Sequence, residues 1–198
     1  LLRRFWHPVA VSEDLAPGTT RPIRVMGEDL TLYRGISGAP YLIAGRCAHR
    51  CTVLHTGWVQ GERLRCIYHG WTYDGTGQCV EAPAEDAAFP RQIRIAAYPA
   101  RDYGGLIFAY LGDGDSEAAF ELMRKSAIET PGIVTLNKAQ AWPCNWFQLV
   151  ENSMDAVHVS FVHRAGKIGP LGEAISGTIP DLEYFETEAG IRQVATRG

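Results

Sequence analysis

Cys47-Ala48-His49-Arg50-Cys51 and Cys66-Ile67-Tyr68-His69-Gly70-Trp71-Thr72-Tyr73 decide how this chain is read. Each stretch pairs a thiol with an imidazole, first as Cys-x-His and then as Cys-x-x-His. Tyr41-Leu42-Ile43-Ala44 leads into the first and Leu64-Arg65 into the second, so the two stretches read as tips of neighbouring β-hairpins. Further out, Pro22–Met26 and Leu30–Arg34 bracket Gly27-Glu28-Asp29 as another hairpin. Asp74-Gly75-Thr76-Gly77 turns between Trp71–Tyr73 and Gln78–Val80. Leu106–Leu111 reads as a buried strand. Gly112-Asp113-Gly114-Asp115 then marks a boundary.

Beyond that boundary the periodicity changes. Glu117–Ile128 and Asn145–Phe161 have helical spacing, and Ile179–Val194 returns to alternation. The expected fold class is α+β, with a β domain over 1–112 and the start of an α+β domain over 113–198. The length of 198 residues allows one or two domains. A net charge of −3 gives no reason to expect nucleic acid or an anionic membrane as partner. No apolar run approaches a membrane span, and the N-terminus lacks a secretory h-region, so a cytoplasmic location is expected. The chain does not begin with Met, and both ends are expected to be cut.

Five cysteines, Cys47, Cys51, Cys66, Cys79 and Cys144, make an odd count that does not resemble a secreted disulfide framework. Two thiolates and two imidazoles suit a [2Fe–2S] cluster of the Rieske type, with the cysteines on one iron and the histidines on the other. The competing reading is a structural Cys₂His₂ zinc site, but zinc sites space paired cysteines two to four apart rather than alternating Cys with His. Cys51, Cys79 and Cys144 are expected to be small buried thiols. His7 and His55 read as structural or surface residues, and Glu85-Asp86 as a solvated turn. Trp71 has no hydroxyl to offer a cluster sulfide, whereas Tyr73 can donate to a ligand sulfur. The expected potential therefore lies toward the low end of the roughly −150 to +300 mV Rieske range.

His69-Gly70-Trp71-x-Tyr73 matches the loop of the Rieske family, and Cys47-Ala48-His49-Arg50 resembles its Cys-Pro-His-Arg, with Ala48 in place of Pro. The loop disulfide of respiratory Rieske proteins needs a further cysteine where this chain has Ile67 and Tyr68. Downstream, Glu151-Asn152-Ser153-Met154-Asp155-Ala156-Val157-His158-Val159-Ser160-Phe161-Val162-His163 contains Asp-x-x-His-x4-His. The two motifs in this order resemble the oxygenase α-subunits of Rieske non-haem iron aromatic-ring hydroxylases. Tyr110–Asp115 is loosely similar to the phthalate and carbazole oxygenase branch.

The resemblance implies a catalytic domain of helix-grip type, a large sheet wrapped round a long helix. It implies that His158 and His163 are two ligands of a mononuclear Fe(II) in a 2-His-1-carboxylate site. It places Asp155 as the bridge from that iron to the cluster histidine of a neighbouring subunit, with Asn152 facing the same pocket. The third ligand is expected beyond Gly198, since Asp181, Glu183, Glu186 and Glu188 come too early. It also implies a homotrimer that oxidises an aromatic substrate with O₂. Electrons would come from NAD(P)H through a separate reductase or ferredoxin, because no Gly-x-Gly-x-x-Gly fingerprint occurs here. Two other readings remain open: a Rieske ferredoxin-type carrier with an extra domain, and a zinc-structured binding module.

One geometric expectation follows from spacing alone. His158 and His163 are separated by about 140° on a regular helix of 3.6 residues per turn. The helix must end, kink or bulge between Val159 and His163 for both to reach one metal. Lys167–Gly177 reads as a mobile loop beside that helix, either a lid or a plain connection.

Overall fold

The structure, a computed structural model, describes residues 1–132, 142–165, 178–188 and 190–197. The Lys167–Gly177 expectation lies outside the described residues. The chain divides into two compact units, Leu1–Asn137 and Lys138–Gly198.

The first unit is antiparallel β. Its elements in chain order are β1 (Trp6–Val11), β2 (Thr20–Val25), β3 (Glu28–Arg34), β4 (Pro40–Ala44), β5 (Trp58–Gln60) and β6 (Arg63–Arg65). There follow β7 (Thr72–Tyr73), β8 (Cys79–Glu81), β9 (Ala97–Tyr98), β10 (Ala100–Tyr103) and β11 (Leu106–Tyr110). They form sheets of order β2-β3-β4-β9, β1-β11-β10 and β5-β6-β7-β8. The β2–β3 hairpin turns on Met26 and Gly27, both at positive φ, as a two-residue turn requires.

Two adjacent strands carry the logic of the core. Successive strand residues point to opposite faces. On β3 and β4, Leu30, Leu32 and Leu42 join one apolar cluster with Ile107, Ala109 and Leu111. Their sequence neighbours Tyr33 and Ile43 join another cluster with Cys47, Cys66, Trp71 and Tyr73. The β3–β4 ribbon thus has β11 on one side and the cysteine-bearing hairpins on the other.

The expected 117–128 helix is two helices, α1 (Ser116–Met123) and α2 (Ser126–Glu129). Asp115 caps α1 by accepting from the amides of Glu117 and Ala118. Phe120 anchors α1 against Trp6, with ring centroids 5.6 Å apart.

In the second unit, the expected 145–161 helix is three short segments. These are α3 (Trp146–Met154), α4 (Ala156–Val159) and α5 (Val162–Ala165). Asn145 caps α3. Asp155 stands between α3 and α4 with φ −92 and ψ 92, outside the helical region. The hairpin of β12 (Asp181–Thr187) and β13 (Gly190–Thr196) closes the unit. No helix among the described residues is long and apolar enough to cross a membrane.

Candidate metal centres

The two cysteine loops are built alike. Cys47 N–H donates to Thr52 O, and Cys51 N–H donates back to Cys47 O. Cys66 N–H donates to Trp71 O, and Gly70 N–H donates back to Cys66 O. The residue four beyond each first cysteine is left-handed, Cys51 at φ 54 and Gly70 at φ 73. This corrects the expectation for Cys51, which is exposed. Its place is a backbone turn, not a core position. Cys144 is exposed as well, whereas Cys79 is buried as expected. Cys51→Gly is expected to stabilise the protein by about 1 kcal/mol, because only Gly adopts a left-handed φ without strain. Thermal unfolding of the variant checks this.

The repeated loop brings Cys47, His49, Cys66 and His69 together. Cys47 and Cys66 are buried in one cluster. The His49 and His69 rings lie 4.5 Å apart at 61°. The four pair off two and two, thiols inside and imidazoles toward the surface. Two cysteines with two histidines suit a two-iron group. The fit has a further sign: His49 Nδ1 is buried and has no hydrogen-bond partner. A buried, unpaired imidazole nitrogen is costly unless something binds it.

The surroundings act in opposite directions on the two kinds of ligand. Desolvation, then the neighbouring His49 and Arg50 charges, hold the His69 pKa below the usual imidazole value, which favours the neutral ring that ligation requires. Burial pushes the Cys66 thiol up, while the amides of Tyr68 and His69 donate toward its sulfur and act the other way. Trp71 covers His49 face to face, at 4.7 Å and 6°.

Tyr73 accepts at its oxygen from Ala48 N–H (3.1 Å), which leaves its own proton for Cys47 Sγ, 3.2 Å away. Burial, then Cys47, push the Tyr73 pKa far up, so it stays a donor. Hydrogen bonds to a cluster sulfur favour the reduced state. Tyr73→Phe is expected to lower the potential by about 45 mV, taking a net bond of about 1 kcal/mol and 59 mV per tenfold change. Protein-film voltammetry measures it. The low-end expectation for the absolute potential is checked by the same experiment.

The second constellation lies in the other unit. The helix ends at Val159 and α5 begins at Val162, which is the break that the spacing required. Across this break the His158 and His163 rings approach to 5.3 Å. His158 Nδ1 is also buried and unpartnered. One Asp155 oxygen accepts from the amides of Val157 (2.9 Å) and His158 (3.2 Å). The other is 3.6 Å from His158 Nδ1, too long for a hydrogen bond. That oxygen therefore has no partner on His158, and the Asp155 side chain is half exposed. Asn152 lies on α3, exposed, and does not share a continuous helix with Asp155. Its carbonyl accepts from Asp155 N–H at 3.4 Å. Asp181, Glu183 and Glu186 sit exposed on β12 and Glu188 in the turn after it. Sequence motifs carried no signal for the stacking of Trp71 on His49 or for the Ala48–Tyr73 bond that orients the tyrosine.

The Rieske [2Fe-2S] domain family matches residues 5–99, so the first unit defines a Rieske protein. The chain is 40% identical over 183 residues to the 5,5'-dehydrodivanillate O-demethylase oxygenase subunit of Sphingobium sp. strain SYK-6, covering 87% of this chain and 42% of that protein. It is 34% identical to the phthalate 4,5-dioxygenase oxygenase subunit of Pseudomonas putida, covering 100% of this chain and 48% of that one. The terminal oxygenase of carbazole 1,9a-dioxygenase from Nocardioides aromaticivorans IC177 superposes with a TM-score of 0.71 at 27% identity, over 93% of this chain and 52% of that one. Residues 5–99 belong to the Rieske [2Fe-2S] domain family, and the chain as a whole is similar to the oxygenase subunits of Rieske-type oxygenases. It spans under half the length of those two sequence relatives.

Proposed function

We propose that this chain serves as the electron-receiving part, and as part of the iron site, of a terminal oxygenase in a multicomponent system. Residues 1–112 hold the cluster through Cys47, His49, Cys66 and His69. Residues 113–198 contribute His158 and His163 to a mononuclear Fe(II). Such groups, when bound, supply one-electron storage and O₂ activation beside an organic substrate. The chain's own residues do the rest. Tyr73 donates to the Cys47 sulfur, and Trp71 shields His49 from water. Asp155 uses one oxygen to cap α4 and offers the other to an imidazole N–H of a cluster ligand in a neighbouring copy. That arrangement calls for a homotrimer. NAD(P)H acts at a distance, through a reductase or ferredoxin, in the cytoplasm. The substrate is aromatic, as the names of the dehydrodivanillate and phthalate relatives suggest, and the outcome is mono- or dihydroxylation or O-demethylation.

The observation that carries this reading is the Asp155 break, beyond which the His158 and His163 rings approach to 5.3 Å and one Asp155 oxygen has no hydrogen bond among the described residues. A pure electron carrier has no use for it. Metal analysis distinguishes the two. The oxygenase holds a [2Fe–2S] cluster and one further iron, whereas a carrier holds the cluster alone. A colourless protein, EPR-silent after reduction and holding zinc, would overturn both.

A further inference from the structure

We propose that Gln193 and Arg197 are positioning residues for the iron site, bracing the break at Asp155 from the hairpin. The inference rests on reading His158 and His163 as iron ligands. A helix end leaves carbonyls without intrahelical partners. Met154 is the last residue of α3, and its carbonyl accepts from Gln193 Nε2 at 2.8 Å. Ala156 is the first residue of α4. Ser160, four residues on, donates to Val157 O instead, and Ala156 O accepts from Arg197 Nη2 at 3.0 Å. The two carbonyls on either side of Asp155 are therefore each held by a side chain from the same strand or its immediate end. Residues 193 and 197 are separated by an even number along an extended chain, so they face the same way.

The first brace is itself held. Gln193 Nε2 also donates to Tyr184 Oη at 2.9 Å, and Tyr184 is its directly opposite partner on β12. Both amide hydrogens of Gln193 are thus used. Arg197 donates to Ala156 O through Nη2, and its Nε is buried with no hydrogen-bond partner among the described residues. On the far side of His158, the fully buried Ser160 donates its hydroxyl to Thr178 O at 2.7 Å. The turns before and after His158 are therefore both pinned. Asp155 sets His158 by accepting its amide proton, so a shift of the 154–156 backbone moves one imidazole against the other.

The test is Fe(II) titration of the cluster-loaded protein, with cluster absorbance as the count of folded chains. The Co(II) spectrum reports ligand geometry. Gln193→Ala and Arg197→Ala are each expected to weaken Fe(II) binding by about tenfold or more, in the range seen for residues that orient metal ligands. The Co(II) bands shift, the unfolding midpoint holds, and Arg197→Lys restores binding. Unchanged affinity and unchanged Co(II) bands in both alanine variants overturn the inference. So does an affinity loss that tracks a fall in unfolding midpoint, which marks bulk support. His158→Ala separates the two levels. If it loses Fe(II) while both alanine variants keep it, the bracing fails alone. If it binds Fe(II) like the parent, the iron-site reading fails and the bracing with it.

Discussion

Asp155→Asn is expected to cut substrate turnover by about 100-fold or more while leaving the cluster spectrum and the fold unchanged. The substitution separates two jobs that the structure gives to one side chain. Asp155 accepts from the amides of Val157 and His158 and so caps α4. Asn caps helices as well as Asp does, so the turn that faces His158 toward His163 survives. What is lost is the second oxygen, half exposed and too far from His158 Nδ1 to bond it. An amide NH₂ there cannot accept an imidazole proton. Asp155→Ala is the poorer variant, because it also removes the cap, worth about 1 kcal/mol. Coupled turnover beside circular dichroism and visible absorbance checks the result. Full oxygenation by Asp155→Asn would contradict the bridging role.

His158→Ala is expected to reduce bound iron from a cluster plus one iron to the cluster alone. The visible spectrum stays, and oxygenation is lost. His158 Nδ1 is buried and has no hydrogen-bond partner among the described residues, with an Asp155 oxygen 3.6 Å away. The cluster survives because its candidate ligands lie in the other unit, on loops closed by their own backbone bonds. Iron and acid-labile sulfide analysis measures this directly. Loss of sulfide along with iron would show that His158 supports the fold and not a separate metal.

The β domain was legible because its signals are local. Turn glycines, alternating strands and the paired Cys/His loops all lie within short windows. The catalytic segment was legible in its residues but not in its shape. Helical spacing over 145–161 hides two interruptions, and Asp155 and Ser160 look like ordinary helix positions until the caps are drawn. Aspartate is a favoured N-cap, so the first break did have a sequence sign. The second followed only from requiring His158 and His163 to meet. Cys51 was misread because residue type suggested burial, whereas the backbone fixes it at the left-handed position that Gly70 fills in the other loop. Gln193 and Arg197 carried no sign at all, since their partners lie 39 and 41 residues away.

Electrons stored at Cys47, His49, Cys66 and His69 are expected to be consumed at His158 and His163 through Asp155. A single turnover measures this. The reduced protein, freed of reductant, is mixed with O₂ and a panel of methoxylated and carboxylated aromatics. The EPR signal of the reduced cluster and the product are followed together. The signal is expected to decay as oxygenated product forms, whereas Asp155→Asn keeps its signal and forms none. Decay at the same rate in Asp155→Asn, or decay in the parent without any product, would contradict it.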